Sequence, residues 1–191
     1  MRFAIISSSL DPKSRSDKLA EQCRAYLESK GHEAKVISLK DHVLISFDND
    51  TFYQCEAYQY LHRETLVADS LIFASPVYNW GCCGELKKYI ESVGSTPPDG
   101  SLRGAFYDKV LTFVCAAGVP HSYMAYSATA MSMLTDFKCV INPYQLYVHS
   151  RHWDDDKMID EKQKRLAKTM DVAIELTEAL SNRTYRSDWE I

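Results

Sequence analysis

Short unbroken apolar runs alternate along the chain with longer stretches in which apolar residues recur every three or four positions. Residues 3–6 (FAII), 34–39 (AKVISL), 71–74 (LIFA), 110–117 (VLTFVCAA) and 145–149 (QLYVH) fit strands. The unbroken apolar runs suit a parallel sheet buried on both faces. Between them, Leu19, Cys23, Tyr26 and Leu27 repeat at helical spacing up to Gly31, as do Leu86, Tyr89, Ile90 and Val93. Residues 122–137 are expected to form a fourth helix. A long last helix begins near residue 156, with Ile159, Leu166, Met170, Ala173, Ile174, Thr177 and Leu180 as its stripe. A helix is also expected within residues 40–68, where the pattern gives no sharp edge. Five alternations of strand and helix, with no repeat and no linker, predict one doubly wound α/β domain over residues 1–182 and a C-terminal tail over 183–191.

Three signals change within residues 70–90 (SLIFASPVYNWGCCGELKKYI). The apolar run predicts a buried strand, Pro76 is expected to end it, and a helical period is expected from Gly81 onward. In open parallel sheets, ligands bind outside the carboxyl ends of the strands, so the loop SPVYNWG occupies a favoured position.

Composition narrows the function classes. The 191 residues are 46% hydrophobic with a net charge of −4, the profile of an ordinary globular protein. With no basic block, neither nucleic acid nor an anionic membrane is expected as a partner. No run approaches the roughly 20 apolar residues of a membrane span, and MRFAII is too brief for a signal peptide. Six cysteines at positions 23, 55, 82, 83, 115 and 139 show neither zinc-like pairing nor disulfide-framework spacing. A cytoplasmic protein with reduced thiols is expected.

Between the first strand and the first helix lies SSSLDPKSRSDKLA, residues 7–20. It is rich in hydroxyls, carries Lys13 and Arg15, and runs into a helix N-terminus, where free N–H groups and the helix dipole favour an anion such as a phosphate monoester. Serine also caps helices, but capping accounts for one serine and not for five in ten residues.

These two segments carry a family resemblance. SSLDPKSRSDKLA and SPVYNWGCCGELKKYIE resemble the two motifs of the NADPH-dependent FMN reductase family of flavodoxin-like proteins, a G-S-x-R-x-x-S-x-N-x-x-L loop and a later P-x-Y-N-x-x-x-x-G-x-L-K segment. Pro76, Tyr78, Asn79, Gly84, Leu86 and Lys87 fall in step with the second motif, and Ser9, Ser14 and Leu19 with the first. Ser8 stands where the family usually has Gly, Ser16 where Asn is common, and Asp11 where an Arg often helps hold phosphate, which leaves Arg15 or Lys13 to supply the positive charge.

The resemblance implies a flavodoxin-like fold, with a five-stranded parallel sheet of order 2-1-3-4-5 and helices on both faces. It implies FMN as cofactor, with its phosphate in the loop of Ser9, Ser14, Arg15 and Ser16. The ring would lie against Pro76, Val77, Tyr78 and Asn79, with Gly118 at its other edge. NADPH or NADH would donate the hydride, and a free flavin, a quinone or an azo compound would accept it. No catalytic side chain and no metal are expected, since the chemistry belongs to the flavin. A homodimer or homotetramer follows from the same resemblance. Alternatives are an electron carrier or flavin-binding module that does not turn over NAD(P)H, and an interaction domain that has lost its cofactor.

Other features carry less. Cys82 and Cys83 are expected to be packed thiols. His149, His152 and Asp154 to Asp156 are expected to form an acidic helix cap rather than a metal site, and Met124, Met131 and Met133 to lie in the core or an interface.

Overall fold

The computed structural model describes residues 1–100 and 102–183; the tail expected from 183 onward lies, beyond Arg183, outside the described residues. Each apolar run forms a strand, and each periodic stretch forms a helix packed on it. In chain order these are β1 (Arg2–Ser7), α1 (Arg15–Ser29), β2 (Glu33–Ser38), α2 (Glu56–Val67), β3 (Ser70–Tyr78), β4 (Gly81–Cys82), α3 (Gly84–Gly94), β5 (Val110–Ala117), α4 (Ser127–Asp136), β6 (Val140–Ile141), β7 (Leu146–His149), β8 (Trp153–Asp154), β9 (Lys157–Met158) and α5 (Asp160–Leu180). A single 3-10 turn, Thr51–Gln54, precedes α2.

The main sheet runs β2-β1-β3-β5 in parallel, and both β6 and β7 pair with the outer edge of β5. It therefore has seven strands where five are expected, yet five positions across, in the expected order. The fifth position is split. β6 lies beside Val110 and Leu111 and β7 beside Val114 to Ala117, so the edge strand detours between them. Side chains fill the gap: Gln145 Oε1 accepts the Phe113 N–H at 2.6 Å, and Asn142 donates to the Thr112 hydroxyl and the Thr169 carbonyl, both at 3.0 Å. Buried backbone groups must be paired, and here side-chain amides replace the missing ladder.

Alternate residues of each strand face opposite sides, which gives two cores. Phe3, Ile5, Ile72, Val114 and Ala116 pack against α1 and α5. Ala4, Ile6, Leu71, Phe73 and Phe113 pack against α2, α3 and α4, where Phe73 meets the rings of Tyr89, Phe106 and Phe113 edge-on at 6.0, 6.2 and 5.7 Å.

Two boundaries near the centre of the chain differ from expectation. β3 continues through Pro76 to Tyr78, because its pairing with β1 stops at Ala74 and position 76 has a partner only in Ala116 of β5. A residue without an N–H is tolerated where one side of the strand is free. The chain then turns back at Asn79 and Trp80 into β4, which pairs antiparallel with Val77 and Tyr78, so the helix starts at Gly84 rather than Gly81. Further along, α4 begins at Ser127 instead of 122. The acids 154–156 belong to the β8–β9 hairpin, and the acidic first turn of α5 is Asp160 and Glu161.

Candidate functional site

Three loops leave the carboxyl ends of β1, β3 and β5 and enclose a cleft of about 260 Å³. It is lined by Ser9, Asp11, Lys13, Ser14, Arg15 and Ser16 from the first loop, Pro76, Val77 and Tyr78 from the second, and Ala116, Ala117 and Gly118 from the third. Eight of the nine residues singled out from the sequence are among them. Asn79 is the exception.

The first loop is held by its own polar groups. Ser8 donates its N–H and its hydroxyl to the Ala74 carbonyl, at 3.0 and 3.2 Å, which anchors the loop to β3. The Cys83 thiol lies 3.2 Å from the Ser8 carbonyl, so Cys83 is a packed thiol that ties the start of α3 to this loop. Asp11 turns one carboxylate oxygen onto the Lys13 N–H at 2.8 Å, and Ser14 donates its N–H to the Asp11 carbonyl at 3.1 Å. The Asp11 carboxylate is thus partly occupied within its own turn. Ser14 caps α1 by accepting the Asp17 N–H at 3.2 Å, and its hydroxyl sits 2.8 Å from that of Ser16. The backbone N–H groups of Arg15 and Ser16 have no acceptor among the described residues, as expected at a helix start. Asp17 is neutralised by Lys40 at 2.9 Å. Neither Lys13 nor Arg15 forms a salt bridge among the described residues, although Arg15 lies over the Trp153 ring at 5.8 Å and its charge adds to that of Lys18 in lowering the Asp156 pKa. Hydroxyls, open N–H groups and two cations without a salt bridge therefore converge at one end of the cleft.

The second loop is a two-residue hairpin turn. Asn79 and Trp80 both have positive φ, 48° and 65°, and the mirror-image turn that this pair forms matches the twist of the flanking strands. Asparagine tolerates the left-handed region, which assigns Asn79 a turn-forming role just beyond the cleft lining. Trp80 pays for the same conformation without that advantage and leans toward His121 of the third loop, ring centroids 5.3 Å apart. The third loop is fixed from β7 and the segment after it: the Tyr147 hydroxyl bonds the Val119 carbonyl and meets the Ser122 hydroxyl at 2.8 Å, while Ser150 donates to the Gly118 carbonyl at 2.7 Å.

Ala116 and Ala117 were not foreseen as lining residues. Their signal was present in the way VLTFVCAA ends on two small residues before Gly118, and small side chains there take up little of the cleft. No group of three or more His, Cys, Asp or Glu able to hold a metal occurs among the described residues. His149 and His152 instead lie with their rings tilted against each other, centroids 3.7 Å apart, and burial first, then neighbouring positive charge, holds both imidazoles below their ordinary pKa. No helix among the described residues is long and apolar enough to cross a membrane.

The model of the family described as NADPH-dependent FMN reductase matches residues 1–153. The chain belongs to that family. As an NADPH-dependent FMN reductase family member it is an NAD(P)H-dependent flavin oxidoreductase, and FMN is the cofactor of the family. A search of curated proteins finds no match. Among solved structures, FerB, a flavoenzyme NAD(P)H:(acceptor) oxidoreductase from Paracoccus denitrificans, superposes with a TM-score of 0.75 at 19% identity, covering 93% of this chain and 97% of that one. RosB, solved with 8-demethyl-8-formylriboflavin-5'-phosphate, gives 0.76 at 16%, covering 98% and 83%. EMOB, an NADH:FMN oxidoreductase solved in apo form, gives 0.72 at 19%, covering 91% and 89%. At these identities the likeness is one of fold, flavodoxin-like with helices on both sides of a mainly parallel sheet. The residues of the cleft fit FMN on their own chemistry: the first loop offers a phosphate hydroxyls, N–H donors and positive charge, and Ala116, Ala117 and Gly118 opposite Pro76 are small residues that allow close approach of a ring.

Proposed function

We propose that the cleft holds FMN, and that the protein passes a hydride from NADPH or NADH through that flavin to a small acceptor such as a free flavin, a quinone or an azo compound. The observation that carries this reading is the convergence of Ser9, Ser14, Arg15, Ser16, Pro76, Val77, Tyr78 and Gly118, separated by up to about a hundred positions in sequence, on one cleft at the carboxyl edge of the sheet. Bound flavin supplies the hydride chemistry, so the chain is left with binding and orientation. Ser9, Ser14 and Ser16 bind the phosphate through their hydroxyls, the Arg15 and Ser16 N–H groups add donors, and Lys13 and Arg15 balance its charge. Pro76, Val77 and Tyr78 on one side and Gly118 on the other orient the ring, and Asn79 holds the turn that presents them.

Self-association as a homodimer or homotetramer belongs to the same proposal. It is supported by Trp80, Met124, Met131 and Leu134, large apolar side chains left exposed on and beside α4. A cytoplasmic location is supported by six free cysteines.

The test is the absorption spectrum of the purified protein after incubation with FMN and removal of the excess. Flavin bands that bleach on anaerobic addition of NADPH or NADH are the expected result. A colourless protein would overturn the cofactor assignment, and bands that neither nucleotide bleaches would identify an electron carrier instead.

A further inference from the structure

The first three turns of α5 carry Lys162, Lys164, Arg165 and Lys168, which together with Tyr123 and Tyr147 line a groove of about 590 Å³. Glu161 is the one carboxylate in that lining, and it is paired with Lys162 at 3.1 Å. Arg165 is committed, donating its Nε–H to the Gln145 carbonyl at 3.1 Å and lying 5.0 Å over the Tyr144 ring. Lys164 and Lys168 have no carboxylate partner among the described residues and stand exposed four positions apart on one helix face, Lys168 with its Nζ 5.3 Å over the Tyr144 ring. The groove therefore carries four cations against one acid. Its field is felt nearby: after burial, the charge of Lys162 contributes to lowering the pKa of both His149 and His152.

The groove adjoins the cleft through the third loop. Gly118 lines the cleft, Tyr123 lines the groove, and the Tyr147 hydroxyl braces the chain between them through Val119 and Ser122. Those positions are separated by at most about 18 Å of extended chain. A dinucleotide that places its nicotinamide in the cleft has its adenosine half within reach of the groove. There Tyr123, 59% exposed, offers a ring face for the base.

NADH and NADPH share a pyrophosphate and differ only in the 2'-phosphate, which adds about −1.5 to −2 charge near neutral pH. We infer that the α5 groove, with Lys164 and Lys168 as its cations without a carboxylate partner, binds the 2'-phosphate of NADPH and sets a preference for NADPH over NADH. The inference rests on the proposed flavin cleft, but its two lysines lie beyond position 153, where the family match ends.

The experiment uses the FMN-loaded protein and two double variants, Lys164→Glu with Lys168→Glu, and the milder Lys164→Gln with Lys168→Gln. Calorimetry with adenosine 2',5'-bisphosphate and with 5'-AMP reads the groove directly. Anaerobic and steady-state kinetics give the ratio of kcat/KM for NADPH to that for NADH. The bisphosphate is expected to bind the parent protein at least about tenfold tighter than 5'-AMP, and the charge-reversed variant should lose that margin together with about tenfold in the kinetic ratio, the glutamine variant losing less. A bisphosphate that binds no tighter than 5'-AMP would overturn the inference, as would a margin that both variants retain. Failure of the cleft reading looks different: neither nucleotide would bleach the flavin, while the calorimetric margin and its dependence on the two lysines would persist.

Discussion

Ser14 accepts the Asp17 N–H at 3.2 Å and meets the Ser16 hydroxyl at 2.8 Å while also lining the cleft, so one oxygen serves both helix and ligand site. The two roles separate by substitution. Ser14→Ala combined with Arg15→Ala removes a hydroxyl and a guanidinium from the phosphate end, and FMN binding is expected to weaken by about 1–3 kcal/mol. The same change removes a cap worth about 0.5–2 kcal/mol of stability. Ser14→Asp keeps a capping oxygen but sets a second carboxylate beside Asp11, so it should preserve the melting temperature and still lower FMN affinity by repulsion. Fluorescence titration with FMN, paired with a thermal melt, reads both. Undiminished affinity in the double variant would remove the phosphate from this loop. Trp80 poses the converse case: a bulky residue held at φ 65° and 64% exposed serves neither the turn nor the core well, which makes it a residue to be explained by what docks on the loop.

At the scale of elements, Glu64 of α2 fastens the edge of the sheet. Its Oε2 accepts from Arg2 of β1 and from Lys35 of β2, each at 2.9 Å. Burial alone would raise this carboxyl, but the Lys35 hydrogen bond and the charges of Lys35, Arg2 and Arg63 outweigh it and leave the folded-state pKa below 4.5. A depressed carboxyl contributes stability above its unfolded pKa and loses it as pH falls through the folded value. Glu64→Gln should therefore cost about 1–2 kcal/mol in urea unfolding at pH 7, the surrounding cations being partly exposed, and the gap should close as pH falls below about 4.5. A gap independent of pH would assign the cost to packing. The periodic and unbroken apolar stretches made all the long elements and both cores legible, because burial on one face or two is what shapes such a pattern. Elements of two residues were not legible, since β4, β6, β8 and β9 are too short to hold a period. Pro76 misled for a related reason: the missing N–H is costly only beside a paired neighbour, and the end of β1 is a tertiary fact. In the cleft, the serines and Arg15 were legible as chemistry and the Pro76 loop through its motif, whereas Ala116 and Ala117 act by being small, which leaves no chemical mark.

For the whole molecule, the two faces of the sheet divide the work. α1 and α5 cover one face, and α5 there carries the cationic groove. On the other face, α3, α4 and the β3–β4 turn enclose a mostly apolar pocket of about 500 Å³ lined by Trp80, Cys82, Ile90, Met124 and Ala128. Met131 and Leu134 remain 60% and 46% exposed on the neighbouring surface of α4, whereas Met133 on the same helix is fully buried. Such a patch is unusual on a lone chain, and a two-fold axis through α4 would make it self-complementary, each copy inserting methionines against the other. That arrangement closes the open side of the turn bearing Trp80 and keeps α5 on the far face, free to meet a dinucleotide. Sedimentation equilibrium at micromolar concentration is expected to give a multiple of 21.8 kDa, and Met124→Glu with Met131→Glu should shift it toward the single-chain mass. The parent protein sedimenting as a 21.8 kDa species that still retains FMN would show that neither the patch nor a second copy is needed to build the cleft.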